Sequence, residues 1–244
     1  MLKTQKVNGM NKNLSESRKN KLRRIISQSK TQIKKFIPID TTLFILQFIK
    51  HPNDIGSLTP SSVHLAEAMT RYVVSKPGNE QGKKYLEAGA GTGAFTKTII
   101  SKLKPEDHLD IIEINPKFCE RLQKKYSNYN NVSIHVGSVL DWKPDYKYDT
   151  IVSSLPFNAF RANFVEEIYN HYEKITAPGG YVSYCEYMAL PGIKKMFLTP
   201  RAKKVLQDTL DVTTKFENKF QVKLDKVFVN FPPAVVHHCQ FPKE

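Results

Sequence analysis

The apolar positions along this chain fall into three successive patterns. Leu22, Ile25, Ile26, Ile33, Phe36 and Ile37 recur at helical spacing, with Arg23, Arg24, Lys30, Lys34 and Lys35 between them. That spacing predicts a basic amphipathic helix, which Pro38 stops. Asp40 or Thr41 can cap a second, more apolar helix running to about Lys50. After the turn-rich stretch HPNDIGSLTPSS (51–62), Ser61 or Ser62 can cap a third helix through about Val74. Beyond Pro77-Gly78 short apolar runs alternate with amphipathic segments. Strands are expected at Lys84–Ala88, Leu109–Ile114, Val132–Val136, Thr150–Ser153 and Tyr181–Cys185. Helices are expected at Phe95–Leu103, Pro116–Tyr126 and around Phe164–Lys174. This βαβ alternation predicts an α/β fold with a mostly parallel sheet covered on both faces. The closing region differs: Val205–Asp211 reads as a helix, then Phe220–Leu224 and Val227–Phe231 as an antiparallel hairpin.

The first predicted strand runs into Glu87-Ala88-Gly89-Ala90-Gly91-Thr92-Gly93 and then a helix. Glycines at 89, 91 and 93 let the backbone turn sharply and approach a ligand closely. About 20 residues further on, Glu113 ends the next strand, followed by Ile114, where a carboxylate can bind the two hydroxyls of a ribose. The spacing is G-x-G-x-G with an acid just upstream. A pyrophosphate prefers a helix N-terminus free of acids. Glu87 suits a cationic nucleoside instead, such as S-adenosylmethionine with its amino group and sulfonium. After the third strand the sequence is Gly137-Ser138-Val139.

The fourth strand ends in Ser153-Ser154-Leu155-Pro156-Phe157-Asn158. Amino-directed nucleic-acid methyltransferases carry N/D-x-P-Y/F at this turn. Here Pro156 and Phe157 are kept, but Ser154 stands at the amide position, where a hydroxyl matches a planar exocyclic amine poorly. His237 and His238 invite a metal reading. Neighbours on a strand point to opposite faces, so no metal is expected there.

Charge then separates the ends of the chain. Of the formal net charge of +14, residues 1–36 carry +10, from eleven Lys or Arg against Glu16 alone. The rest is close to balanced. Cys119, Cys185 and Cys239 show neither paired nor metal-ligand spacing, as expected for a reducing cytoplasm. The apolar run Leu43-Phe44-Ile45-Leu46 is far short of the roughly 20 residues that cross a bilayer, and no signal peptide is read at the N-terminus. The expectation is a cytoplasmic protein attached peripherally to the inner face of a membrane. Residues 1–50 would form the basic tail and membrane-associating helices, and 51–244 the catalytic domain.

The glycine turn and element order resemble the class I S-adenosylmethionine-dependent methyltransferases. That resemblance implies a Rossmann-like seven-stranded sheet, order 3-2-1-4-5-7-6, with an antiparallel last strand. It also implies an acidic residue after the glycine that follows the third strand, to bond the adenine amine; Ser138 stands there and would bond it more weakly, or Asp141 substitutes. Taken together, HPNDIGSLTPSS, LEAGAGTG, SSLPFN and VNFPPAVV are similar to the bacterial phospholipid N-methyltransferases, over roughly residues 44–240. The resemblance implies methylation of phosphatidylethanolamine, with the leading segment folded over the cofactor and Gly56, Ser61 and Ser62 near it. The cofactor set is then Gly56, Ser61, Glu87, Gly89, Gly91, Thr92, Gly93, Glu113, Ile114, Ser138, Val139 and Ser153. An ethanolamine ammonium titrates broadly like Lys, near 10.4, so only about one molecule in 10³ is neutral at pH 7. Candidates to remove its proton are Glu186, Tyr184, Tyr187 and His51. Ser154, Pro156 and Phe157 would shape the acceptor site, with Phe157 and a tyrosine facing the growing positive charge. The implied partners are an anionic membrane surface and its phospholipid. RNA adenine methylation is the alternative activity, and a non-catalytic membrane-binding module keeping the nucleoside fold is a third reading.

Overall fold

The computed structural model describes residues 60–74, 82–188, 200–230 and 233–243. The expected basic helix, its successor and His51 and Gly56 lie outside these residues, as do the side chains of Ser61 and Ser62. The described chain opens with α1 (Pro60–Met69), β1 (Lys84–Ala88) and α2 (Thr96–Lys102). Next come β2 (His108–Glu113), α3 (Pro116–Tyr126), β3 (Val132–Val136) and β4 (Tyr148–Ser153). It closes with α4 (Ala162–Ile175), β5 (Thr176–Tyr187), α5 (Pro200–Phe220), β6 (Gln221–Val227) and β7 (Ala234–Gln240).

The seven strands form one sheet in the order β3-β2-β1-β4-β5-β7-β6. Strands β1 to β5 are parallel, while β7 is antiparallel to both of its neighbours, β5 and β6. This is the expected order. Strand β1 is the switch point, since the chain winds one way to β2 and β3 and the other way to β4 and β5. Two apolar layers hold the helices on. Leu86, Ile112, Ile151, Val182 and Tyr184 pack under α4 and α5. On the other face, Tyr85, Leu109, Ile111, Val152 and Val236 pack under α1, α2 and α3.

Several boundaries depart from the sequence expectation, among them the end of α1 at Met69 instead of Val74 and the start of β5 at Thr176 instead of Tyr181. Helix α1 starts at Pro60, a residue preorganised for a first helical turn, so Ser61 and Ser62 lie inside the helix and not at its cap. Helix α5 runs 21 residues, far past Asp211. Its buried stripe is Leu206, Thr209, Thr213, Phe216 and Phe220, a helical spacing hidden by two threonines. Thr209 is accommodated because its hydroxyl donates to the Phe160 carbonyl at 2.9 Å. The segment Val227–Phe231 is also misread as a strand. Val227 ends β6, Phe228 and Val229 turn, and the partner strand begins at Ala234, after Pro232-Pro233, which cannot donate to a ladder.

Candidate active site

The carboxyl ends of the parallel strands bring four loops together. Gly89 N–H donates to the Ile112 carbonyl at 2.8 Å, and Ser154 N–H to the Ala88 carbonyl at 2.9 Å. The turns after β1, β2 and β4 are thus joined by main chain. Gly89, Gly91 and Gly93 have φ of +74°, +57° and +87°. A Cβ on Gly89 would meet Leu155 Cδ2 at 2.7 Å, and one on Gly93 would meet Leu122 Cδ2 at 2.8 Å. At Gly91 it would meet nothing within 4 Å, so this part of the turn borders open space. Thr92 is exposed beside it.

Two acids underlie that space. Glu87 is fully buried; Thr96 Oγ1 donates to its Oε2 at 2.6 Å, and its Oε1 has no partner among the described residues. Burial, the main cause, and the nearby Glu113 push its carboxyl up to about 7, against the Thr96 bond. Glu113 accepts Gly91 N–H on Oε2 and Asn115 N–H on Oε1, both at 2.8 Å. Burial raises its carboxyl too, and the backbone amides oppose this. Each oxygen keeps a lone pair for a ribose hydroxyl. Ile114 is half-buried next to it. These groups fit a cationic nucleoside: an unpaired buried carboxylate oxygen, a second carboxylate with spare acceptors, and a glycine turn facing open space.

Several predicted contributors lie elsewhere. The Ser138 hydroxyl accepts Leu140 N–H at 3.3 Å, capping a short 3₁₀ turn, and so has less to offer a base; Asp141, within that turn, is exposed. Val139 is buried in the core. The Ser153 hydroxyl is turned inward, where it accepts from Tyr172 OH at 2.9 Å. Phe157 is 1% exposed between Tyr169 and Tyr184, at centroid distances of 4.9 and 5.1 Å. It supports the turn from below and does not face an acceptor, since its ring completes an aromatic layer. Tyr184 is likewise fully buried, and its hydroxyl donates to Glu217 at 2.7 Å. Burial foremost, then the charges around it, raise that phenol well above its ordinary value, which removes it as a base.

The end of β5 is more productive. Ser153 pairs with Tyr184, so Glu186, two residues further along β5 and still paired with Val235 of β7, lies level with the turn that carries Ser154 and Pro156 on the neighbouring strand. Glu186 is half-buried, and its Oε1 has no partner among the described residues. Burial foremost, with Glu217 adding, raises its carboxyl against the pull of His237. Glu217 accepts from both Tyr184 and His237, the latter at 2.8 Å. Sequence reasoning missed Glu217; its only signal was a lone acid beside Phe216 on a helix read as too short. Tyr187 packs with the opposite layer, and burial pushes its phenol up to about 12. His237 and His238 do point to opposite faces. His237 meets Glu217, while His238 lies between Ser183 and Asp225, at 2.8 and 3.2 Å.

A family model described as "Methyltransferase domain" matches residues 86–180, from β1 through the start of β5. Residues 86–180 carry a methyltransferase domain, and the chain is an S-adenosylmethionine-dependent methyltransferase. S-adenosylmethionine is the cofactor of this methyltransferase, and the groups around Gly91 are those that fit it. Over 211 residues the enzyme is 26% identical to the ornithine lipid N-methyltransferase of Singulisphaera acidiphila, covering 84% of this chain and 98% of that protein. Its fold is similar to the crystal structure of the N-methyltransferase NodS from Bradyrhizobium japonicum WM9, with a TM-score of 0.58 at 15% identity. That alignment covers 76% of this chain and 99% of the other. A second NodS structure, in complex with S-adenosyl-L-homocysteine, aligns with a TM-score of 0.56 at 14% identity, over 77% of this chain and 90% of that one.

Proposed function

We propose that this methyltransferase acts on the amine of a membrane-lipid head group, phosphatidylethanolamine first and ornithine lipid as the alternative head group. The observation that carries the reading is Glu186, a half-buried carboxylate near the end of β5 whose Oε1 has no partner among the described residues, on the strand next to the one that ends in the Ser154 turn. A carboxylate with a raised pKa there attracts an ammonium and can accept its proton, whereas a planar adenine amine carries no charge to be neutralised. The likeness to an ornithine lipid N-methyltransferase along nearly its whole length supports the same class of acceptor. When bound, S-adenosylmethionine supplies an electrophilic methyl group on a sulfonium. The chain's own work is positional. Glu113 and Glu87 would hold the nucleoside and its cationic end, the glycine turn lets the backbone approach, and the Ser154–Pro156 turn borders the amine. Glu217 and His237 sit behind Glu186 and set the charge it feels. The basic segment 22–37 supports attachment to an anionic membrane surface.

The test offers purified protein and labelled S-adenosylmethionine to vesicles of phosphatidylethanolamine, to ornithine lipid and to ribosomal RNA. Label is expected in lipid and not in RNA. Glu186→Gln should lower lipid methylation about 10²-fold or more, the usual contribution of a positioned base, while cofactor affinity holds. Ser154→Asn should lower lipid labelling without creating RNA activity. Label in RNA with none in lipid would overturn the proposal in favour of adenine methylation.

A further inference from the structure

Among the described residues, the most exposed large apolar side chains are neighbours, Phe228 at 65% and Val229 at 61%. They form the turn that follows β6. Val227 and Tyr187 both pair with Ala234, which places this turn at the carboxyl end of β5. Met188, 41% exposed, joins it there, for its N–H donates to the Pro233 carbonyl at 2.8 Å. Strands lie about 4.8 Å apart, so the turn stands roughly 10–15 Å to the side of the Ser154 turn on the same edge of the sheet.

We propose that the turn formed by Phe228 and Val229 directly after β6, with Met188 beside it, docks into the surface of an anionic lipid bilayer next to the acceptor site. The proposal rests on the lipid-acceptor reading, because it gives the carboxyl edge of the sheet a reason to face head groups. Charge favours this occupant. Lys226 is exposed two residues before Phe228 and has no carboxylate partner among the described residues. Area disfavours a second copy of the chain. Three partly exposed side chains present on the order of 300 Å², whereas a stable interface needs about 800 Å² per partner. Insertion of a small apolar tip by about 5–10 Å, with a cation at head-group level, is the geometry of interfacial binding. A lipid amine at that surface then lies within a head group's reach of Ser154 and Glu186.

The experiment uses the full chain with Phe228→Ser and Val229→Ser together. Both side chains are mostly in solvent, so the fold is expected to survive, as unchanged S-adenosylmethionine affinity would report. Sedimentation with vesicles of equal parts phosphatidylglycerol and phosphatidylethanolamine should show about tenfold weaker binding, or more. Methylation of vesicle lipid should fall in step, while a water-soluble short-chain phosphatidylethanolamine is methylated at the wild-type rate. Unchanged vesicle binding by the double variant, with wild type active on the short-chain lipid, overturns the docking surface and leaves the acceptor reading standing. A wild type inert on every lipid, whose vesicle binding the double variant still loses, supports the docking surface and sinks the acceptor reading. A dimer in light scattering that the variant dissolves, with vesicle binding intact, assigns the tip to a second copy and overturns the proposal.

Discussion

On the β1–β3 side of the sheet the carboxyl edge is built largely from main chain and two carboxylates. The Gly89 amide donates to the Ile112 carbonyl, the Gly91 amide donates to Glu113, and Glu87 lies buried at the base of the same turn, bonded by Thr96. On the β4–β7 side the same edge depends on side chains carried by separate elements. Glu186 from β5, His237 from β7 and Glu217 from α5 meet only because three distant segments pack together. Under the proposed function the first side would hold a ligand of fixed structure, which suits a short contiguous motif. The second must fit an acceptor that differs between enzymes, and its residues are scattered accordingly.

That contrast can be broken most directly at Glu113. Glu113→Ala should weaken S-adenosylmethionine binding by about 1.5–3 kcal/mol, as for lost hydrogen bonds to a charged group. Calorimetry on the folded variant reads this, and unchanged affinity would remove Glu113 from the cofactor half. Proton linkage at Glu87 gives the next largest effect. Burial holds its carboxyl at about 7, above its unfolded value, so the free protein gains stability from the protonated form at low pH and loses it as pH rises through 7. A cationic ligand favours the ionised form, so affinity moves the other way and rises with pH. Between pH 8 and pH 6 the affinity for S-adenosylmethionine should fall about tenfold, and Glu87→Gln should flatten that dependence. A wild-type affinity that is level across this range would break the link. The smallest effect sharpens the comparison from the acceptor side. Tyr172→Phe deletes the bond to Ser153 in a buried site and should cost about 1 kcal/mol, lowering the melting temperature by about 2–4 °C. Cofactor affinity should not move; a large drop would return Ser153 to the cofactor site.

The same division governs what the sequence made legible. Strands β1 to β4 and the glycine turn were placed nearly to the residue, because buried parallel strands are continuous apolar runs between turn signals. Glu87 and Glu113 were found because their roles depend on spacing along the chain. Helix α5 was cut short because Thr209 and Thr213 occupy its buried stripe, and their hydroxyls look polar until their partners are known. Phe157 was placed facing an acceptor because its turn sequence matches a base-stacking motif, yet Tyr169 and Tyr184, from α4 and β5, enclose it. Phe228 and Val229 read as strand because β-branched and aromatic residues usually pack on a pleated surface, and here they stand mostly exposed in a turn.

The position of β7 has a consequence for how the molecule assembles. Strand β6 is made first but stands at the rim, and its sole neighbour in the sheet, among the described residues, is β7. It therefore has nothing to pair with until β7 exists. If the two strands zip first, within about 1–10 μs as hairpins do, the pair would then dock as a unit against β5. Locking that unit joins Tyr181 to Gln240, a separation along the chain that makes docking slow compared with the zipping that precedes it. Until it docks, the flank of β5 is an open edge with unpaired amides, the place where two half-folded copies would stick to each other. Refolding yield should therefore depend on protein concentration.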